Sequence, residues 1–536
     1  MSTMLVFYYA IGIAATFGAA ALAYAVCRRR GWSVPRWVLI VFLVLPAYLF
    51  VAQYLKFRSL HMYADVSHWL QIVHSIATTW RPETLSHEFI VPGTKNFLTV
   101  HFVPLVYLFG LLHRVWSAPE ALLMSGVALM LSSAIPMYLM ARRGVGSHFG
   151  MFAAAVFLWY PTFQYITLYE FEILRFSIPA LLWMLYFWER RSTVGMLVFA
   201  LLAAFVREEV GFTVMLFGVF LAIMERRRAL GLTIAFMGIG VFAVTTTVIM
   251  PALSSAEQYV YYAAQALGPG SSFLDVVGNL VQHPFAVVSA LTHPIKLANL
   301  SMLFLPLLAI PLFAPSVLIP AFASFGVGLL STGFTNSSYM LYYMAPAVPF
   351  ILYAFLRAWP RCITWLQRLS DSQLPSGASH RVHAAAMAAV LIGLLIANVF
   401  FGPSPIAAQF WSTRLRPAVF RTQSFHWSAY RVTDHHRAVG ELIAQIPRDA
   451  IVSTQEFLLS RLYAHRGAMV YPRIVSMDGT YRATYILLDA TNNGLHPESP
   501  AYVSDDAFAM VRTDSRWQRI AERNSFELYR VRSGSQ

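Results

Sequence analysis

Apolar stretches long enough to cross a bilayer recur as far as residue 401, and charge gathers at the junctions between them. A helix needs about 20 apolar residues to span hydrocarbon, because lipid leaves no partner for an unpaired backbone N–H or C=O. Candidates fall near 4–26, 37–55, 119–141, 149–166, 175–188, 193–206, 210–224, 230–250, 299–313, 316–331, 341–357 and 384–401. Several are short of a full crossing and read as extended by their neighbours or as partly re-entrant. The pattern predicts an all-α polytopic transmembrane bundle of about 12 helices over residues 1–401.

Composition agrees. The chain is 58% hydrophobic and 12% charged, against ~45–50% and ~25% for soluble domains. That excludes a disordered chain and a soluble enzyme. Cys27 and Cys362 make neither a disulfide framework nor a zinc spacing. No basic stretch precedes the first apolar run and Arg28-Arg29-Arg30 follow it, so it reads as a retained span, not a cleavable signal.

A net charge of +14 would point to nucleic acid in a soluble protein. Its distribution points elsewhere. The junctions at Arg28-Arg29-Arg30 with Arg36, Arg142-Arg143, Arg190-Arg191, Arg226-Arg227-Arg228 and 357–383 hold 15 Lys/Arg and 3 acids. The other loops before residue 402 hold 8 Lys/Arg and 10 acids. By the positive-inside bias the arginine-rich junctions face the cytoplasm. The segments 56–118, 167–174, 207–209, 251–298 and 332–340 then face outside, with no nucleic-acid partner implied. Residues 370–383 read as a plain linker.

Pro403 and Pro405 end the last apolar run, and the tail turns soluble, with 16 Lys/Arg and 12 acids. Short apolar runs at 450–453, 485–489 and 526–531 read as strands, and 435–446 and 455–464 carry helical spacing. This predicts a small extracytoplasmic α/β domain over 402–536.

Candidate chemistry clusters on the acidic side. Asp65 follows the second span and opens the first outer loop, 56–118. A carboxylate there suits a general base, or a helix N-cap or solvated loop acid. Six histidines occupy this loop, His61, His68, His74, His87, His101 and His113, with no metal spacing. His101 opens an apolar segment that ends at His113-Arg114 and reads as an interfacial helix. Glu170 and Glu172, with Arg175 nearby, have the types to hold a divalent cation or a phosphate; a Glu–Arg pair capping the next helix fits equally. Arg207-Glu208-Glu209 lie between two short apolar runs, at the outer face or in a cavity, where arginine suits phosphate. Tyr342 belongs to an aromatic stretch on the same side, also readable as an interfacial belt. All these acids fall on one side of the membrane. That suggests a site reached laterally by a membrane lipid and from water by an acceptor.

Ordered stretches resemble the prokaryotic membrane proteins of domain-of-unknown-function family two-thousand-and-seventy-nine. They are Asp65 with Gln71; His101-Phe102-Val103-Pro104 followed by 137–142; Tyr169-Glu170-Phe171 with Pro179; Arg207-Glu208-Glu209, where the family tends to Lys-Glu-Asp; Tyr342-Tyr343-Met344-Ala345-Pro346; and, in the tail, 446–453 and Leu488-Asp489. Glu172-Ile173-Leu174 stands where the family has His-Pro-Glu, Leu70 where an acid is common, and Tyr342 where it has histidine. The family in turn resembles glycosyltransferases of the C fold (GT-C), polytopic enzymes that use polyprenyl-phosphate-linked sugars. The resemblance implies a prokaryotic inner-membrane glycosyltransferase that moves a sugar from such a donor to an acceptor at the extracytoplasmic face. Asp65 is then the base, and Arg207 or Arg175 binds the donor phosphate. Glu170 matches a second-loop acid that in some relatives helps bind a divalent metal such as Mg or Mn, with Glu172 beside it. Competing readings are a transporter or lipid flippase, which predicts charges deep in spans and inverted halves, and a non-catalytic assembly protein, whose acids would not converge.

Overall fold

The computed structural model describes residues 3–86, 95–253, 278–279, 281–331, 334–369, 378–415, 424–494 and 502–532. His87, much of the 251–298 loop and the 370–377 part of the expected linker lie outside these.

Among the described residues, six helices are long and apolar enough to cross a membrane: Val6–Arg30, Arg36–Arg58, Pro119–Val145, Arg228–Leu253, Thr335–Leu369 and His380–Phe401. Two bent pairs, Ser147–Trp159 with Pro161–Leu168 (53°) and Pro284–Leu291 with Pro294–Leu307 (46°), bring the count to eight if each is one span. Proline begins each second member, where its missing N–H costs the helix nothing. Shorter apolar helices include Val106–Val115, Thr193–Ala204, Val210–Ile223 and Pro315–Leu330. Val106–Val115, the expected interfacial helix, has 10 residues, too few for a crossing.

The expected span at 299–313 is not one straight helix. It ends in short 3-10 turns, Leu305–Leu307 and Ile310–Phe313, joined through Leu308 and Ala309 in left-handed conformation. Prolines 306, 311, 315 and 320 remove N–H donors at nearly every turn. The bent pair starts instead at Pro284, within the expected outer loop.

Helices pack closely where small residues permit. Val210–Ile223 and Arg228–Val244 meet backbone to backbone: a Cβ on Gly238 would lie 2.5 Å from the Gly211 carbonyl oxygen, and one on Gly218 would lie 2.5 Å from that of Gly231. The Thr3–Arg30 and Ala378–Phe401 helices pair likewise, with the Tyr8 hydroxyl donating to Phe400 O at 2.6 Å.

The two sets of junctions occupy different regions. In the arginine-rich set, Arg357 reaches Glu189 at 3.3 Å and Glu225 at 3.7 Å, and Arg143 donates to Glu189 O. In the acidic set, the first outer loop lies against the C-terminal domain, where Gln71 Nε2 donates to Ala468 O at 3.2 Å.

That sheet is mixed, with order β2-β1-β3-β5-β4: β1 Ile451–Thr454, β2 Gly467–Val470, β3 Tyr485–Asp489, β4 Trp517–Arg523 and β5 Phe526–Val531. β1 runs parallel to β2 and β3, and β5 is antiparallel to β3 and β4. Helices Asp434–Ile443 and Asp505–Thr513 accompany it. The expected helix at 455–464 shrinks to Glu456–Leu459. The sheet domain is knit to the first outer loop. Leu60 and Leu85 enter its two apolar clusters, Ser59 donates to Ala429 O at 2.6 Å, and Arg461 donates to Phe57 O at 2.7 Å.

Candidate functional site

The first-loop helix, Ala64–Thr79, begins at a residue with no side-chain cap of its own. Its exposed N–H groups draw an anion, and Glu170 supplies it: Oε2 accepts from Val66 N at 3.0 Å. Asp65 is therefore not the cap. One turn on, Trp69 Nε1 donates to Glu172 Oε2 at 3.0 Å. These two bonds dock the second loop onto the first.

Glu172 also ends the chain segment before a 3-10 turn, Ile173–Phe176, and caps it through Leu174 N at 3.3 Å. The same oxygen accepts from Arg207 Nη1 at 3.3 Å. Arg207 Nε donates to Glu209 at 2.7 Å, so the guanidinium bridges the second and third loops. Glu208 turns the other way. Its carboxylate meets His101 Nδ1 at 2.8 Å and accepts from Phe102 N at 2.8 Å. Asp65 accepts from the Tyr169 hydroxyl, and the Tyr169 ring packs edge-on against Tyr342 at 5.0 Å. Tyr342 in turn donates to the Tyr343 hydroxyl at 3.1 Å. Asp65, His101, Glu170, Glu172, Arg207, Glu208, Glu209 and Tyr342 thus converge from five separate stretches.

Arg175 goes elsewhere. It is fully buried, lies over Phe171 and Phe176 at 4.6 and 5.1 Å, and donates to Thr167 O and Glu170 O. It braces the second loop from below, against Gly126. It makes no ion pair with Glu172, so the expected Glu–Arg cap is a glutamate cap alone.

The acids differ in what their surroundings do to them. Burial raises the Asp65 carboxyl well above the ordinary range, Glu170 and Glu172 add to the rise, and the Tyr169 bond offsets only part of it. The Asp65 residue as a whole is nonetheless only part-buried. Burial also acts to raise Glu208, but the His101 charge and hydrogen bond, helped by Arg207, outweigh it and hold the group below the ordinary range. Arg207 is desolvated too, yet Glu209 and Glu172 keep it firmly charged.

Glu170 and Glu172 aim at different donors and do not form a joint chelate. Among the described residues, the group that brings three metal-capable atoms within 4.8 Å of one another is His101, Glu208 and Glu209. Its donors are already committed: Glu208 to His101 and Phe102 N, Glu209 to Arg207. This is a closed ion network, not an open ligand cage, and neither set fits a resident cation as built.

Sequence pattern passes over Lys56 and Trp69, and gives Tyr169 only as the neighbour of Glu170 in a family stretch, with no role of its own. Lys56 is fully buried and donates to Leu168 O at 3.3 Å. A lysine closing an apolar run was its one signal; Trp69 and Tyr169 look like ordinary aromatics.

Among solved structures, the chain is similar to ArnT from Cupriavidus metallidurans bound to undecaprenyl phosphate, at 12% identity and TM-score 0.50, over 92% of this chain and 97% of that one. At that identity the likeness concerns fold alone, and the fold is the GT-C-like bundle with a small C-terminal sheet domain that the resemblance implies. The archaeal oligosaccharyltransferase AglB from Archaeoglobus fulgidus, in complex with an inhibitory peptide and a dolichol-phosphate, aligns at 14% identity over 85% of this chain and 69% of that one, with TM-score 0.43; at that score it supports no argument here. No curated protein matches. The profile of the predicted membrane protein family DUF2079 matches residues 65–528, from Asp65 to the last strand. The chain is a membrane protein that belongs to that family.

Proposed function

We propose that this protein is an integral membrane glycosyltransferase. It transfers a sugar from a polyprenyl-phosphate-linked donor to a hydroxyl acceptor at the extracytoplasmic face of a prokaryotic inner membrane. The tail from residue 402 is then a domain on that same face.

One observation carries the reading. Of the five converging acids, Glu170, Glu172, Glu208 and Glu209 each hold a backbone N–H or a cationic side chain. Asp65 alone accepts a single neutral hydroxyl and stays partly exposed. A carboxylate raised above its usual range and open to a reactant is suited to take a proton near neutrality.

In the proposed step Asp65 removes the acceptor's hydroxyl proton as that oxygen attacks the anomeric carbon. The bond from that carbon to the phosphate oxygen breaks, and polyprenyl phosphate leaves with the electron pair. Arg207 bears on the leaving group. Its Nε and Nη1 are held by Glu209 and Glu172, while Nη2 makes no hydrogen bond among the described residues and is left for a phosphate oxygen. A fixed, charged guanidinium lowers the barrier without reorganising during the reaction. Arg175, enclosed by aromatic rings, has no such role in this reading, and no step runs through a metal.

Asp65→Asn tests the assignment. A strain lacking the protein should show altered lipid-linked sugars or surface glycans by mass spectrometry. Wild type should restore them and Asp65→Asn, inserted at equal level, should not. Full restoration by the variant refutes the role of Asp65.

A further inference from the structure

Between the first-loop helix and the sheet domain lies a cavity of about 360 Å³. That is at the small end of ligand pockets, which run ~300–1,000 Å³. It is not the Asp65 site. Successive helical residues turn by ~100°, so His74, nine residues past Asp65 on the same helix, points to the opposite side.

Two walls differ in chemistry. One is cationic: Arg448, Arg466 and Lys95 line it with His74 and His465. Lys95 is paired with Asp478, but among the described residues neither Arg448 nor Arg466 forms an ion pair. The one acid in the lining, Glu83, faces Arg81 at 3.9 Å. His465 is 6% exposed, and among the described residues neither of its ring nitrogens, nor Nδ1 of His74, makes a hydrogen bond. Burial, then the charge of Arg448, holds both imidazoles below their ordinary range. An unpaired positive field over orphaned polar atoms favours an anion.

The other wall is hydroxylic. Thr78 and Thr79 donate their protons to His74 O and Ser75 O at 2.9 and 2.8 Å. Thr79 Oγ1 already accepts from Arg81 N at 3.3 Å, whereas exposed Thr78 keeps its lone pairs as acceptors for a hydroxyl donor. The Gln71 carbonyl oxygen is taken by Thr84, Leu85 and Ser86, and its amide nitrogen donates to Ala468 O, so it shapes the floor.

The geometry points to a binding site for an acidic saccharide, its phosphate or carboxylate against Arg448 and Arg466 and a hydroxyl against Thr78. The inference does not rest on the transfer reading, because it concerns binding on the other side of the helix.

The test uses purified full-length protein in detergent, titrated calorimetrically with digalacturonate, maltose 1-phosphate, maltose and inorganic phosphate. At least one acidic sugar should bind at least tenfold more tightly than maltose and than inorganic phosphate; which one tells carboxylate from phosphate. Arg448→Gln with Arg466→Gln should weaken that binding at least tenfold, and the exposed Arg466→Gln alone should weaken it measurably if the double variant fails to fold. Equal affinity for maltose overturns the anionic assignment. Equal affinity for inorganic phosphate overturns the saccharide assignment. No acidic sugar binding, or unchanged affinity in the variants, overturns the site.

Discussion

Removing the Glu172 carboxylate measures how firmly the loops are held together. In Glu172→Ala, three donors lose their acceptor: Trp69 Nε1, Leu174 N and Arg207 Nη1. Trp69 and Leu174 are 0% exposed and Arg207 is 5% exposed, so water reaches none of them freely. A stranded buried donor costs ~1–3 kcal/mol, and breaking a buried ion pair costs ~3–5 kcal/mol. Arg207 keeps Glu209, which limits its share. The expected loss is therefore about 3–5 kcal/mol. Glu172→Gln keeps the shape and one acceptor oxygen but not the charge, and should lose about 1–2 kcal/mol, the difference between charged and neutral hydrogen bonds. Trp69→Phe completes a double-mutant cycle. With the indole N–H gone, Glu172→Gln should cost less, with a coupling of ~0.5–3 kcal/mol. The assay is reversible unfolding in mixed detergent micelles, followed by thiol labelling of buried Cys362 in a Cys27→Ser background. Cys362 lies in the Val348–Leu369 helix and reports loss of the bundle. A coupling near zero, or a Glu172→Ala loss under about 1 kcal/mol, would refute the view that this carboxylate joins the loops.

Three other perturbations have signs fixed by the structure. Asp65 holds its proton more tightly folded than unfolded, so stability falls as pH rises from ~3.9 through the raised folded value; Asp65→Asn should melt higher than wild type at neutral pH by scanning calorimetry, while wild-type transfer should rise with pH across that same raised value. Glu208 has the opposite sign: it contributes stability above ~4.3 that is lost as pH falls through its depressed folded value, so Glu208→Gln should destabilise at neutral pH and flatten the acid limb of the melting profile. Gly238→Val drives a side chain into the Gly211 carbonyl and should cost ~1–3 kcal/mol by overpacking, whereas Gly240→Val, with open space around it, should be near neutral in the same unfolding assay.

Hydropathy made the bundle legible because lipid demands long runs of one kind of residue. It misled at 299–313, where an apolar count cannot register that proline every four or five residues denies a continuous helix its donors. The glycine seam between Val210–Ile223 and Arg228–Val244 was equally hidden, since glycine reads as neutral in an apolar run until the facing helix is known. In the tail, the strands 485–489 and 526–531 emerge as read because both are mostly buried. β4 is largely exposed and rich in charge, so it carries no apolar pattern. At the site, charge sign along the chain was enough to collect the acids on one side. Which acid caps a helix and which is left over depends on three-dimensional partners. Thus Asp65 and Glu170, both readable from sequence as helix caps, are told apart by the Val66 N–H, which goes to Glu170.

The departures from the family pattern gain a physical meaning from the same contacts. Glu172 stands where relatives carry histidine, and Arg207 where they tend to lysine; here the two touch at 3.3 Å. The glutamate that relatives place two residues later is replaced by Leu174, which is fully buried. An acid has been lost at one position and another stands within the same loop. A lysine ammonium is a compact point charge, whereas a planar guanidinium offers separate donors in fixed directions. Arg207 uses two of them to hold Glu172 and Glu209 and retains a third. Glu172 and Arg207 therefore form one interlocked pair. That pair leaves Asp65 holding only the Tyr169 hydroxyl among the described residues, so on the proposed reading these two departures change how the base is supported while leaving the base itself in place.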